Sequence, residues 1–367
     1  MSELRGRLLF VPVSGPRGMG EYARALALAT AAVQRWPALE VHFALSAAAP
    51  YAAETPFEKT LLPSSPTFHS KEIAVLIASF RPDLVVFDNA GRTAQLRAAS
   101  GSGARVVFVS SRKRQRRKAF RVSWMRMLDE HWIAYPSFIA GELGLIERTK
   151  LKLLRRPVLR FLDAVLPPSD SSLAAIVMEQ HAVKSGEYVL VVPGGGTGHP
   201  GVEDAPAVFA AAADKIANAG HPTILVGVSS AQANAQLRVA PRMPMAMLGE
   251  LIRSAKLVIS NGGDTLLQAI ACARPCIAVP IAGDQAHRIA ECERIGLAVS
   301  ARLDSSELAH AAIALLEDGP RRIAFTARAA RGGIANGMDV ALASIEKLLA
   351  TSLDVSNPSR SRKSKGL

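Results

Sequence analysis

The chain has 367 residues, 49% hydrophobic and only 5% aromatic, with a formal net charge of +13. That length supplies two ordinary domains with cores of their own, the alanine-rich composition disfavours an all-β sandwich, and no apolar run reaches the ~18–20 residues that span a bilayer. Three cysteines, Cys272, Cys276 and Cys292, are too few for a disulfide framework, so a reduced, cytoplasmic protein is expected.

In chain order, Met1–Arg7 leads into Leu8–Val13, which lacks a signal peptide's length and cleavage site and reads as a first strand. Glu21–Gln34 is an alanine-rich helix stopped near Trp36-Pro37, and Glu40–Leu45 a second strand. Ser70–Phe80 is a helix closed by Arg81-Pro82-Asp83, and Leu84–Phe87 a buried strand ending in Asp88-Asn89. Arg105–Val109 is a strand that runs into a basic block, Arg112–Lys118 with Arg121. His131–Ala134 and Phe161–Leu166 read as the last strands of this half, before the expected linker Pro167–Ser172.

The pattern then restarts. Tyr188–Val192 is a strand followed by Pro193–Gly198, Ala205–Asn218 a helix, Thr223–Val226 a strand and Met247–Ser254 a helix. Glu307–Glu317 and Val340–Leu349 close the chain as helices. Strands alternating with helices imply parallel βαβ units. The expected fold class is therefore α/β, with two doubly wound Rossmann-like domains facing a central cleft. Residues 1–166 form an N-terminal domain, 167–350 a C-terminal domain and 351–367 a basic disordered tail.

The stretch 257–285 carries the sharpest chemical signal. Two strand-like runs, Leu257–Ile259 and Cys276–Pro280, bracket a helical pattern at Leu266, Leu267, Ile270 and Ala271. The first run ends in Gly262-Gly263 where the helix begins. Such a junction offers free backbone N–H groups and a positive dipole end, which suits an anion. The second ends at Pro280, before a polar turn with Asp284 and Gln285. Both ends reach the carboxyl edge of a parallel sheet, which suits a ligand with a diphosphate and a hydroxyl-rich group.

This segment resembles the donor-binding signature of GT-B glycosyltransferases, especially family 28, the relatives of the peptidoglycan N-acetylglucosaminyltransferase. The matching positions are Gly262, Gly263, Thr265, Gln268, Pro275, Val279, Asp284 and Gln285, and Met247–Lys256 fits the family's preceding helix. Gly15–Arg24 resembles the family's glycine-rich first loop, and also that of the nucleotide-sugar hydrolase of pseudaminic acid synthesis. Two positions depart from the pattern. Gln268 stands where relatives carry a glutamate for the ribose hydroxyls, and Glu21 where they carry a histidine assigned as general base or substrate-positioning residue.

The resemblance implies a metal-independent, inverting transfer from a nucleotide-diphosphate sugar, with uridine as the expected base. No Asp-x-Asp occurs and no metal or cofactor is expected beyond the nucleotide-sugar co-substrate. The implied donor set is Gly194, Gly195, Gly196, Thr197, Leu248, Gly262, Gly263, Asp264, Thr265, Gln268, Asp284 and Gln285. Glu21 is the candidate base, since a carboxylate can serve where burial raises its pKa; at a helix start it can equally complement the dipole. Asp88-Asn89 either touches the acceptor or caps a helix. His69, His131, His181, His221 and His287 lack metal-ligand spacing, and His199 is the one histidine retained as a ligand contact.

The basic block follows a strand's carboxyl end, with Phe120, Trp124, Met125 and Met127 adding apolar character. A charge run defaults to a solvated loop. Basic residues beside exposed aromatics also suit an anionic membrane surface or a lipid-phosphate acceptor. Gly18, Gly20, Arg112, Lys113, Arg116, Arg117 and Trp124 are accordingly the acceptor or membrane candidates, so the expected localisation is cytoplasmic, with peripheral attachment to the inner face of the cell membrane where this block binds it. The acceptor is expected to be lipid-linked or a surface polysaccharide. Nucleic acid is not an expected partner, because no recognised module accompanies the charge. A nucleotide-sugar hydrolase and a GT-B protein retired to binding remain the competing readings.

Overall fold

The computed structural model describes residues 4–16, 18–194, 204–332 and 334–356, the last five of these by backbone alone. The chain divides into two compact units: residues up to Leu162 together with those from Gly337 onward, and Asp163–Asn336.

The first unit opens with β1 (Gly6–Pro12), α1 (Gly20–Arg35), β2 (Leu39–Ser46) and β3 (Glu58–Leu62), then a 3₁₀ turn at Pro66–Phe68. α2 (Ser70–Phe80), β4 (Leu84–Asp88), α3 (Thr93–Gly101) and β5 (Arg105–Ser110) follow. After them come α4 (Lys113–Ala119), α5 (Val122–Met125), β6 (Glu130–Ile133), α6 (Ser137–Ala140), α7 (Leu145–Leu154) and β7 (Val158–Phe161). The strands form one parallel sheet in the order β3-β2-β1-β4-β5-β6-β7. Leu8–Val11 of β1 are all fully buried, as expected for a sheet covered on both faces. α1 turns Tyr22, Ala25, Leu28, Ala29 and Ala32 inward at helical spacing, and α2 stops where Arg81 adopts a left-handed conformation before Pro82. The order reverses between β1 and β4. Pro12 lies opposite Asp88 there, and the Val13 N–H donates to the Asp88 carbonyl at 2.9 Å.

The second unit contains α8 (Ser171–Gln180), β8 (Val189–Val192), α9 (Ala205–Asn218), β9 (Thr223–Val226), β10 (Leu237–Ala240) and α10 (Met245–Ser254). It continues with β11 (Leu257–Asn261), α11 (Asp264–Ala271), β12 (Cys276–Val279), α12 (Gln285–Arg294), β13 (Val299–Ser300), α13 (Ser305–Glu317) and α14 (Gly319–Gly332). Its parallel sheet runs β10-β9-β8-β11-β12-β13, with the reversal between β8 and β11. Val189, Val191, Leu257, Ile259, Ile277 and Val279 meet Phe209, Ala213 and Ile216 of α9 and Leu308, Ala312 and Leu315 of α13 on one face of it.

Three expectations change. The last helix, α15 (Gly337–Ser356), packs on α1, β4 and β5, so it belongs to the first unit and not to a domain spanning 167–350. The last strand of the first half is Val158–Phe161, while Ala164, Val165 and Leu166 are buried off the sheet in the second unit. The expected linker is pinned to that unit. Asn336 Oδ1 accepts the Leu166 N–H at 3.1 Å and its Nδ2 donates to the Leu166 carbonyl at 3.0 Å. Arg253 donates to the Pro167 carbonyl, and Glu250 accepts the Asp170 N–H at 3.0 Å. Satisfying these buried polar groups locally is what holds the proline-rich segment down.

Candidate functional site

In the second unit the reversal of strand order brings the carboxyl ends of β8 and β11 side by side, the position at which doubly wound sheets bind ligands. Gly194 lies there with φ +130°, and a Cβ on it would collide with Asn261 Nδ2. Asn261 is buried and accepts the Gly263 N–H on its Oδ1 at 2.8 Å. A Cβ on Gly262 would stand 2.8 Å from both Gln285 Cβ and Ile289 Cδ1. The glycines at 194 and 262 are thus required by packing.

The expected amide cradle is narrower than the motif implies. The Gly262 N–H is shared between the Val279 carbonyl and Gln285 Oε1, each at 3.2 Å, and the Gly263 N–H is taken by Asn261. The open end is the first turn of α11, whose N-cap residue Gly263 makes no side-chain cap. Thr265 stands half-buried in that turn, with Asp264 beside it. α12 supports the turn from behind. Gln285 Oε1 also accepts the Ile281 N–H at 2.9 Å, so this carboxamide oxygen braces the loop instead of reaching for sugar hydroxyls. Arg288, 4% exposed, donates to the Gly262 carbonyl and bonds Asp284 Oδ2 at 3.1 Å. Asp284 itself is half-exposed.

Gln268 is almost fully buried and donates through Nε2 to the Val165 carbonyl at 2.9 Å. Its Oε1 has no partner among the described residues, an acceptor of the kind a ribose hydroxyl would satisfy. Leu248 is half-buried on α10, the helix whose Met245 sulfur also approaches Gln268 Nε2 at 3.6 Å. Gly195, Gly196, Thr197 and His199 lie outside the described residues.

In the first unit the reversal lies between β1 and β4, with Glu21 in the first turn of α1. Asn89 follows β4 in a left-handed conformation, φ +52°. Its Oδ1 accepts the Ser111 N–H at 3.0 Å, which fixes the orientation of the amide. Its Nδ2 therefore donates to Glu21 Oε1 at 2.9 Å and to Ser111 Oγ. Asn89 is the strand-end residue expected to touch the acceptor or cap a helix, whereas nothing in the sequence points to Ser111. Asp88, by contrast, forms a buried bidentate pair with Arg24 at 2.8 and 2.9 Å. Gly18, with φ +77°, accepts from the Tyr51 hydroxyl at 3.5 Å, and Gly20 begins α1. Burial is the main reason the Tyr51 hydroxyl is pushed up to about 12, and the nearby Glu21 charge adds to it.

The basic block folds as α4 and splits. Arg112, Lys113 and Arg117 are exposed, but Arg116 is buried. Its guanidinium grips Glu147 at 2.6 and 3.1 Å and the carbonyls of Ala140, Gly141 and Glu142, so it is a structural clamp. Trp124 is buried against Phe108 and donates to Thr93 Oγ1 at 3.0 Å, while Phe120 and Met125 are buried too. A membrane face made of these aromatics is therefore corrected. Among the described residues no His, Cys, Asp or Glu side chains are grouped to hold a metal ion.

No family model and no curated protein matches the chain. Solved structures do. The spinosyn forosaminyltransferase SpnP matches with a TM-score of 0.62 at 16% identity, over 94% of this chain and 100% of that one. A UDP-glucosyltransferase from Polygonum tinctorium capable of glucosylating indoxyl gives 0.62 at 12%, over 95% and 100%. The Streptomyces sp. SF2575 glycosyltransferase SsfS6, complexed with thymidine diphosphate, gives 0.60 at 13%, over 94% and 100%. This likeness shows the fold. The chain has the GT-B architecture of two parallel-sheet α/β domains.

Proposed function

We propose that the protein is a nucleotide-sugar-dependent glycosyltransferase, inverting and independent of metal. The observation that carries this reading is the Asn261–Thr265 turn: space for side chains is closed at Gly262 and Gly263, and it opens into an uncapped helix N-terminus at the β8/β11 reversal. The thymidine diphosphate and UDP-dependent names of the structural neighbours support it.

In this reading the α11 first-turn amides and the Thr265 hydroxyl take the diphosphate. Their fixed dipoles stabilise the charge that grows on the leaving group. Asp284 accepts from sugar hydroxyls, and Gln268 Oε1 from the ribose. The acceptor oxygen attacks the anomeric carbon, the bond to the phosphate oxygen breaks, and Glu21 takes the acceptor's proton. Asn89 holds one oxygen of Glu21, leaving Oε2 for that proton. The likeness of 257–285 to family 28 favours a UDP-sugar donor, and a lipid-linked or surface-polysaccharide hydroxyl as acceptor.

Calorimetry with UDP and TDP tests the donor site, and uptake of neither would remove the reading. Nucleoside diphosphate released at the same rate with and without candidate acceptors would assign hydrolysis instead.

A further inference from the structure

α7 is the most exposed helix of the first unit, with no buried residue along its length. Leu145, Ile146 and Leu153 are 81%, 72% and 79% exposed, unusual for large apolar side chains on one short helix. At about 100° per residue, Leu145, Thr149, Leu153 and Ile146 fall in a single stripe roughly 100° wide. The Thr149 hydroxyl is turned back onto the Leu145 carbonyl at 2.9 Å, so its methyl completes the stripe. Arg148, Lys152 and Arg155 line one flank, all exposed.

The helix is held rigidly by its other side. Arg116 grips Glu147, which also caps the helix through the Gly144 N–H at 3.1 Å, and Lys150 donates to the Phe120 carbonyl at 3.0 Å. These bonds tie α7 to the α4–α5 segment, which adds exposed Arg117, Arg121 and Val122. Nearby carboxylates are committed: Glu147 to Arg116, Glu142 to Arg148 at 3.4 Å, and Asp129 to Arg105 and Arg156 at 3.2 and 3.4 Å. The surplus is strongly positive.

We infer that the outer face of α7 is a docking surface for an anionic lipid bilayer, with its leucines and isoleucine entering the headgroup boundary and Arg148, Lys152 and Arg155 meeting phosphates. An apolar stripe with a cationic flank is the pattern of an interfacial helix. No helix among the described residues is long and apolar enough to cross a membrane. Pairing of this face with a second copy would bring like charges together. The inference stands whether or not the protein transfers sugar.

Flotation of the full chain with vesicles of phosphatidylcholine and phosphatidylglycerol in equal parts tests it, with pure phosphatidylcholine as control. The protein floats with the mixed vesicles only, and added salt weakens this. The Leu145→Ser/Ile146→Ser/Leu153→Ser variant loses about tenfold or more of the partitioning, and Arg148→Glu/Lys152→Glu/Arg155→Glu loses it altogether. These side chains are exposed, so unchanged melting curves for both variants are expected. Absence of flotation, equal binding to neutral vesicles, or variants that float like the parent would overturn the proposal. So would flotation that depends only on Arg360, Arg362, Lys363 and Lys365, or polyuridylate capture without lipid binding.

Discussion

Arg288 donates to the carbonyl of Gly262 while Gln285, three residues earlier on the same helix, accepts the Gly262 N–H. One helix thus holds both backbone polar groups of the glycine that opens the Asn261–Thr265 turn. The buried guanidinium also places positive charge beneath a turn assigned to a diphosphate. Preorganised dipoles are effective because they need no rearrangement when charge develops.

Arg288→Met leaves the Gly262 carbonyl and Asp284 without this donor. UDP affinity falls at least tenfold by calorimetry, and urea denaturation shows a loss of about 1–3 kcal/mol. Arg288→Lys, which reaches as a point charge without the fork, recovers only part of either. Unchanged affinity in the methionine variant would remove Arg288 from the site.

Gly262→Ala forces its new methyl against Gln285 and Ile289, so α12 must shift. Overpacking of this kind costs about 1–3 kcal/mol. UDP binding weakens more than stability does, because the shift displaces the turn itself. A variant that binds UDP normally would show that the turn tolerates movement.

Glu21→Gln keeps the hydrogen bond from Asn89 but removes the proton acceptor, so kcat falls by about 10²–10⁴-fold with UDP affinity unchanged. Asn89→Ala frees the carboxylate and lowers kcat by about tenfold with little change in KM. Equal loss of kcat and stability in the alanine variant would mark Asn89 as structural only.

Regular helices and central strands were legible because their burial pattern repeats. Ser70–Phe80, Ala205–Asn218 and Thr223–Val226 occur with the expected bounds. β3, Glu-Lys-Thr-Leu-Leu, lies at a sheet edge and shows little of the periodicity a core imposes. α7 and α14 bury no residue, so their apolar positions follow no inward face. Phe161–Leu166 misled because residues packed off a sheet are as apolar as those within one. Trp124 and Phe120 read as exposed from their charged neighbours, whereas short helices turn successive residues to opposite sides. At the candidate site the glycines were legible through their spacing. The supporting atoms were not: Asn261, Arg288 and Ser111 matter through contacts between distant segments.

Gln268→Glu replaces the amide that donates to the Val165 carbonyl with a group that repels it. The variant loses about 1–3 kcal/mol in denaturation unless UDP is present. Stability equal to the parent without nucleotide would show that the Val165 contact contributes nothing.

His131 is fully buried against Ser110, and burial, followed by the Arg116 charge, drives its imidazole down to about 3. The unfolded chain binds a proton near 6.5 that the native state refuses. Stability from this group is therefore complete above about pH 6.5 and falls toward pH 3, by about 1.4 kcal/mol per unit. His131→Phe shows a flatter decline in melting temperature across that window; an identical slope would refute the assignment.

The return of α15 to the first unit has a consequence for biosynthesis. Ile345 and Leu349 supply fully enclosed packing there, yet they emerge from the ribosome after the entire stretch Asp163–Asn336. During vectorial translation the intervening lobe, contiguous in sequence, finishes first, while its predecessor waits with an uncovered flank for the final helix.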